Sequence, residues 1–367
     1  METSDIEALR KTPLCETHIA MGAKMAPFGG WLMPIQYEGI LAEHAHTRRA
    51  VSVFDICHMG EFRLEADPVS SGLDRIVTQS ILSMPIGSCR YGFMLNEKGG
   101  VIDDLVVYRL GKASWMLVVN AATIAGDEAH LRAHLSGRYD LDNISEETGK
   151  LDIQGPRSPE TLEHLFGVSV KKLAYYTFGK FDLGGKDVIV SRTGYTGEVG
   201  YEVYISADSV TRLWKHLFEE DERIKPAGLG CRDTLRLEMG YPLYGQDLDA
   251  DHTPLEAGFE RFVDLKKDFI GKAALIRERE EGIKERLVCF GSDTRRSPRH
   301  GFAIFSGASR IGTVTSGSFS PSLLTGIGMG YVSGSLKAGD KLLTKDKGTE
   351  IAVTVVNKPF YGKERTV

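Results

Sequence analysis

The residues with most chemical meaning in this chain are carboxylates set among apolar and aromatic neighbours. In "GGVIDDLVVYRL" (99–110), Asp103 and Asp104 stand in a run that otherwise reads as a buried strand. Side chains alternate along a strand, so the two carboxylates point to opposite faces. Asp103 shares its side with Val101, Leu105 and Val107, and Asp104 shares its side with Ile102, Val106 and Tyr108. A carboxylate on an apolar face is costly unless it is paired or hydrogen-bonded. At least one of the two is therefore expected in a partly dry place.

A third carboxylate, Glu202, lies in "RTGYTGEVGYEVYI" (192–205), where Gly194, Gly197 and Gly200 mark a tight irregular hairpin. Glu202 and Tyr204 fall on one strand face, and Tyr201, Val203 and Ile205 on the other. From the strand alone, Glu202 reads as a solvated glutamate; the alternative is a carboxylate that accepts two parallel N–H donors of a ligand. "GLGCRDTLRLEMGYPLYGQDL" (228–248) sets Arg232, Asp233, Arg236 and Glu238 on a helix. Asp233 and Arg236 are expected to pair on its surface for a few tenths of a kcal/mol. Arg232 falls in the first turn, a common place for anion contacts. Lys363 and Arg365, in the tail, read as solvated terminal charges.

Several other chemistries are excluded. There is no GxxxxGK[ST] and no GxSxG, and "GIGMGY" (326–331) precedes no helix-forming run. His44 and His46 are two apart on a helix and face different ways. Cys57 and His58 are expected to point apart on extended backbone, with nothing nearby to activate the thiol. The five cysteines are scattered without metal-ligand spacing, so no metal is expected and reduced thiols in a cytoplasmic protein are. A net charge of −5 gives no footprint for nucleic acid. No apolar run approaches a membrane span, and "METSDIEALRKTPL" lacks the apolar core of a secretory signal.

These residues must be positioned by more than one core, because 367 residues predict two or three domains. Helical periodicity is confined to 39–51, 71–82, 123–135, 158–166, 208–220 and 231–239, with a charged helix over 267–287. Asp208 is expected to cap the helix that follows it. Strand patterns occupy 61–66, 101–110, 114–120, 185–193, 200–206, 286–292, 309–317 and 350–356. The two types do not alternate one for one, which predicts an α+β protein with antiparallel sheets. A boundary near residue 280 separates a region over 1–280 from a small all-β barrel or sandwich over 281–367.

Together the pieces resemble a known family. "TPL" (12–14), "GAKM" (22–25), "GGWLMPIQY" (29–37), "FDICHMGEF" (54–62) and "NEKGGVIDDLVVY" (96–108) occur in order. "QGP" (154–156), "SRTGYTGEVGYE" (191–202), "AGLGCRDTLRLE" (227–238), "YGQD" (244–247), "DFIGKAAL" (268–275), "TSGSFSPSL" (315–323) and "KPF" (358–360) follow. The chain is similar from about residue 10 onward to the T-proteins of the glycine cleavage system, tetrahydrofolate-dependent aminomethyltransferases.

The resemblance implies a three-lobed cloverleaf around a central folate cavity, with two lobes (roughly 1–50 with 150–280, and 51–149) before the β-barrel. It implies that Asp104 is the acidic catalytic residue and that Glu202 grips the pterin, so Glu202 is no longer expected on a solvated face. Arg232 matches the family's arginine, and Arg365 falls near a ligand contact in the tail. Tyr91, Met59, Tyr108, Asn120 and Tyr195 lie in segments that line the family's cavity. Asp103, on the opposite face, is expected to be a structural partner of the "GG" turn.

The implied substrates are tetrahydrofolate and the aminomethyl group carried on the lipoyl arm of a partner, the H-protein. Loss of ammonia and transfer to folate generate cationic character, which a fixed carboxylate such as Asp104 stabilises; it also suits acceptance of a proton as the folate ring closes. Cys57 stands where the family commonly has serine, Phe262 where many members have tryptophan, and "GCRD" replaces "GARD". Rival readings on the same fold are a folate-dependent demethylase with another methyl donor, a non-catalytic folate-binding scaffold of iron–sulfur assembly, and a paralogue that has lost its H-protein.

Overall fold

The structure, a computed structural model, describes residues 8–362. It divides into two compact units. One holds the chain up to residue 76 with 80–92 and 105–232; the other holds 77–79, 93–104 and the chain from 233.

In the first unit, β1 (Arg10–Lys11), β2 (Lys24–Phe28) and β3 (Trp31–Gln36) form a small sheet of order β1-β3-β2. Its core of Trp31, Met33 and Leu229 is closed by Phe28 and Ile35. The chain then lays down β4 (Val51–Asp55), β5 (Gly60–Ala66), β6 (Cys89–Leu95), β7 (Val101–Arg109), β8 (Ser114–Val119), β9 (Tyr139–Asn143) and β10 (Thr148–Gln154). Next come β11 (Phe178–Asp182), β12 (Asp187–Ser191), β13 (Gly200–Ser206) and β14 (Ile224–Pro226). They sort into a six-stranded sheet, β11-β12-β13-β10-β4-β14, and a five-stranded one, β6-β7-β8-β5-β9.

Helices α1 (Cys15–Ala20), α2 (Ile40–Arg49), α3 (Leu73–Ile76), α4 (Ile124–His134), α5 (Ser158–Phe166), α6 (Ala207–Glu220) and α7 (Leu229–Glu238) flank the sheets. One face of the six-stranded sheet carries Leu151, Ile153, Tyr201, Val203 and Ile205 against Leu162 of α5 and Val210, Leu213, Trp214 and Leu217 of α6. Each such fully buried side chain contributes roughly 1.5–3 kcal/mol. Period-2 alternation turns Lys150, Asp152, Glu202 and Tyr204 to the other face.

The C-terminal strands β15 (Glu285–Gly291), β16 (Ala303–Ser306), β17 (Ser309–Ser320), β18 (Thr325–Ser333), β19 (Lys341–Asp346) and β20 (Thr349–Val356) close into a barrel of order β15-β18-β17-β16-β19-β20. The fold is thus mixed α and β, with antiparallel pairing dominant and a closed barrel at the C-terminal end, as the sequence predicts. No helix among the described residues is long and apolar enough to cross a membrane.

Local expectations needed correction. The helix predicted over 71–82 stops at Ile76, because Val77 bridges Met94 and the Thr78 hydroxyl takes the Phe93 N–H at 3.0 Å. The helix predicted over 267–287 is only α8 (Lys272–Glu281), bounded by Gly271 and Gly282 at φ of +86° and +93°. Asp208 does not cap α6; it lies inside the first turn and accepts from the Ser206 hydroxyl at 2.5 Å. "GIGMGY" is the middle of strand β18, paired on both sides.

Candidate active site

Strand register builds the polar face residue by residue. On β10 and β13, Lys150 stands opposite Tyr204 and Asp152 opposite Glu202, while Ser191 of β12 stands opposite Glu202 on its other side. Glu202 is buried, so a solvated glutamate is ruled out. Its Oε2 accepts from Thr193 Oγ1 at 2.9 Å, Tyr204 OH at 3.0 Å and Tyr108 OH at 3.4 Å. Lys150 Nζ lies 3.7 Å from the same oxygen. Its Oε1 accepts no hydrogen bond among the described residues and is not sealed from solvent. Burial works against the charge of Glu202, but Lys150, Arg232 and the hydroxyl donors outweigh it and hold its pKa below the ordinary value.

Around Glu202 the charges are stacked. Asp152 is wholly buried and paired with Arg232, whose guanidinium is 5.2 Å from the centre of the Tyr195 ring and 5.8 Å from that of Phe54. Burial, offset in part by Arg232, pushes the Asp152 carboxyl up to about 6. Gln154 Nε2 donates to Asp152 at 2.5 Å and to the Thr193 carbonyl at 3.1 Å. A Cβ at Gly194 or Gly200 would overlap that amide, so only glycine lets the hairpin close over Gln154. Glu61 of β5, also buried, lies 4.0 Å from Lys150 Nζ, and burial raises its carboxyl to about 8.

Cys57 and His58 occupy the turn between β4 and β5, not extended backbone. The Cys57 thiol donates to the Lys150 carbonyl at 3.4 Å, and burial raises its pKa well above the usual value. His58 is buried, its Nδ1 makes no hydrogen bond among the described residues, and burial lowers its pKa to about 4. Neither is an activated nucleophile or its base. The face instead offers one anchored carboxylate with an open oxygen, hydroxyls, and two cations already engaged with carboxylates.

Comparison with known proteins places this face in context. Residues 14–267 match the family described as the GCVT N-terminal domain, and 285–362 match the glycine cleavage T-protein C-terminal barrel domain. The chain belongs to the glycine cleavage T-protein family. It is 42% identical over 357 residues to an aminomethyltransferase of Pseudothermotoga lettingae, covering 96% of this chain and 98% of that one. It is 43% identical to an aminomethyltransferase of Halothermothrix orenii over 96% of this chain and all of that one. Among solved structures, glycine cleavage system aminomethyltransferase T from Bartonella henselae superposes with a TM-score of 0.91 at 33% identity, covering 96% and 98% of the two chains.

The residues singled out in the sequence fall as follows in this family member. Tyr108 and Tyr204 touch Glu202, and Met59 Sδ is 3.5 Å from Lys150 Nζ. Tyr195 stands beside Arg232. Tyr91 on β6 and Asn120 just after β8 are half-buried. Asp104 is half-buried on β7 and belongs to the second unit, whereas Asp103 is wholly buried. Arg365 lies outside the described residues. Arg236 corrects the expected surface pair. It bonds Asp233 at 2.8 Å but is buried, and it also bonds Asp247 and Ser316 at 2.8 Å.

Sequence reasoning missed Glu61, Lys150, Asp152 and Gln154. The available signal was "KLDIQ", in which charged and polar residues alternate with Leu151 and Ile153 through a segment that ends in "QGP".

Proposed function

We propose that this chain, an aminomethyltransferase, takes the aminomethyl group from the lipoyl arm of an H-protein and passes its carbon to tetrahydrofolate. The carbon loses its bonds to the amine nitrogen and the lipoyl sulfur and gains bonds to two folate nitrogens. The two folate N–H protons leave with ammonia and the lipoyl thiol, giving 5,10-methylenetetrahydrofolate. The observation that supports this most is Glu202: a buried carboxylate, kept charged, with Oε1 open to a ligand. The pterin edge presents an amino group and a ring N–H side by side. One donor meets Oε1, and the second displaces the long 3.4 Å contact from Tyr108.

Asp104 is assigned the catalytic carboxylate, which opposes the cationic character at the transferring carbon and accepts a proton as the ring closes. Arg232 is assigned a supporting contact, with its charge shared with Asp152. The five free cysteines support a cytoplasmic location.

The test mixes the purified protein with tetrahydrofolate and aminomethylated H-protein and follows methylenetetrahydrofolate and ammonia. Asp104→Asn is expected to lower turnover by about a hundredfold or more, the order of a lost acid–base or charge-stabilising group, with folate affinity within a few fold of wild type. Folate binding without ammonia release from the wild-type protein would instead point to another donor.

A further inference from the structure

Lys150 is a buried ammonium that the proposed chemistry leaves without a part. Its side chain is 1% exposed, and Nζ lies between two carboxyls, 3.7 Å from Glu202 Oε2 and 4.0 Å from Glu61 Oε1. The Tyr204 ring is 4.9 Å away and Met59 Sδ 3.5 Å. Glu61 Oε1 accepts no hydrogen bond among the described residues, so nothing else there compensates its burial. A buried lysine is costly unless its charge is used.

We propose that Lys150 is a positioning residue for ligand recognition: wedged between Glu61 and Glu202, its ammonium keeps Glu202 an anion of fixed geometry. This rests on the reading that Glu202 receives the N–H donors of the folate.

The charge inventory around Glu202 supports it. Asp152 and Lys150 face it from β10, Arg232 from α7, Glu61 from β5, Tyr108 from β7, Cys89 from β6 and Tyr204 from its own strand. Only Lys150 and Arg232 among these are cations, and Arg232 is bound to Asp152. Without Lys150, two buried carboxylates share one guanidinium, which drives Glu202 towards its neutral form. A protonated Glu202 turns an O–H towards the ligand and loses an acceptor for the N–H pair.

The experiment titrates Lys150→Met with tetrahydrofolate under anaerobic conditions between about pH 5.5 and 8.5, taking the ratio of variant to wild-type Kd at each pH. The ratio cancels groups that titrate in both proteins. It is expected to exceed about tenfold at the acid end and to close as pH rises, by up to about tenfold per pH unit below the raised pKa. Lys150→Arg restores the charge and should flatten the ratio. A ratio that is constant with pH means a structural role only and overturns the proposal.

If Lys150→Met fails to fold by circular dichroism, Lys150→Gln takes its place in the same titration: a ratio that rises at the acid end is expected, and a ratio constant with pH overturns the proposal. Glu202→Gln separates the two readings. Unchanged folate affinity in that variant removes the underlying role of Glu202, whereas weakened affinity with a flat Lys150→Met ratio removes only the role of Lys150.

Discussion

Glu61 and Glu202 are the same residue type, buried beside the same lysine, and their environments drive them apart. Glu202 gains three hydroxyl donors besides Lys150 and Arg232, and its pKa falls. Burial dominates at Glu61; Lys150 at 4.0 Å is too far to compensate, Glu202 repels it, and its pKa rises from 4.5 to about 8. The folded state therefore keeps the Glu61 proton to about pH 8, while the unfolded chain releases it near 4.5. Folding binds more protons between those values, so stability falls across that window as pH rises, by up to about 1.4 kcal/mol for each pH unit crossed. Glu61→Gln keeps the shape and removes this slope. Its melting temperature relative to wild type should rise from pH 5 to pH 9, as read by thermal melts in matched buffers. A constant difference would mean that Glu61 is already ionised in the folded protein.

At the level of elements, α7 shows how a helix end becomes a structural joint. Arg236 Nη1 donates to Asp247 Oδ2 at 2.8 Å and to the Tyr241 carbonyl at 3.0 Å, and Nη2 donates to Ser316 Oγ of β17 at 2.8 Å. Arg236 and Asp247 are both buried. Removing only the cation leaves a buried carboxylate without its counter-charge, a loss of about 3–5 kcal/mol. Arg236→Met should shift the denaturant midpoint accordingly. Adding Asp247→Asn should recover part of the loss, since Ser316 and the Leu243 N–H still have an oxygen to meet. Fully additive losses in the double variant would show that the pair is not coupled.

At the scale of the whole molecule, the chain passes between its two units repeatedly, and β7 and α7 each change unit part-way along, at Asp104/Leu105 and Arg232/Asp233. The second unit also needs residues 93–104: Asn96 Nδ2 donates to the Ala250 carbonyl at 2.8 Å, and the Val101 N–H donates to Asp249 at 2.9 Å. Shared elements cannot unravel in one unit alone. Tryptophan fluorescence from Trp31, Trp115 and Trp214, all in the first unit, should therefore report the same denaturant transition as far-UV circular dichroism, which reports both. Two separated transitions would show that the units unfold independently.

The sequence by itself determined the family, the α+β class, the closed C-terminal barrel and most long elements, because these rest on local periodicity and on motifs whose order survives in one dimension. It exposed Asp104 and Glu202 as carboxylates in apolar strands. Only the tertiary structure decided what surrounds Glu202. Lys150 and Asp152 sit on β10, whose two faces are both buried, so their charges break the pattern that marks a strand, and β10 was not read from it. Glu61 sits on β5, which was read as a strand, but the pattern did not show that its carboxylate is buried. Arg236 looked like a surface partner of Asp233 because helix spacing fixes which residues are neighbours but not which face is covered. Charge state followed the same rule. A glutamate's pKa is set by burial and by partners about 3–4 Å away on other strands, and register alone brings those together.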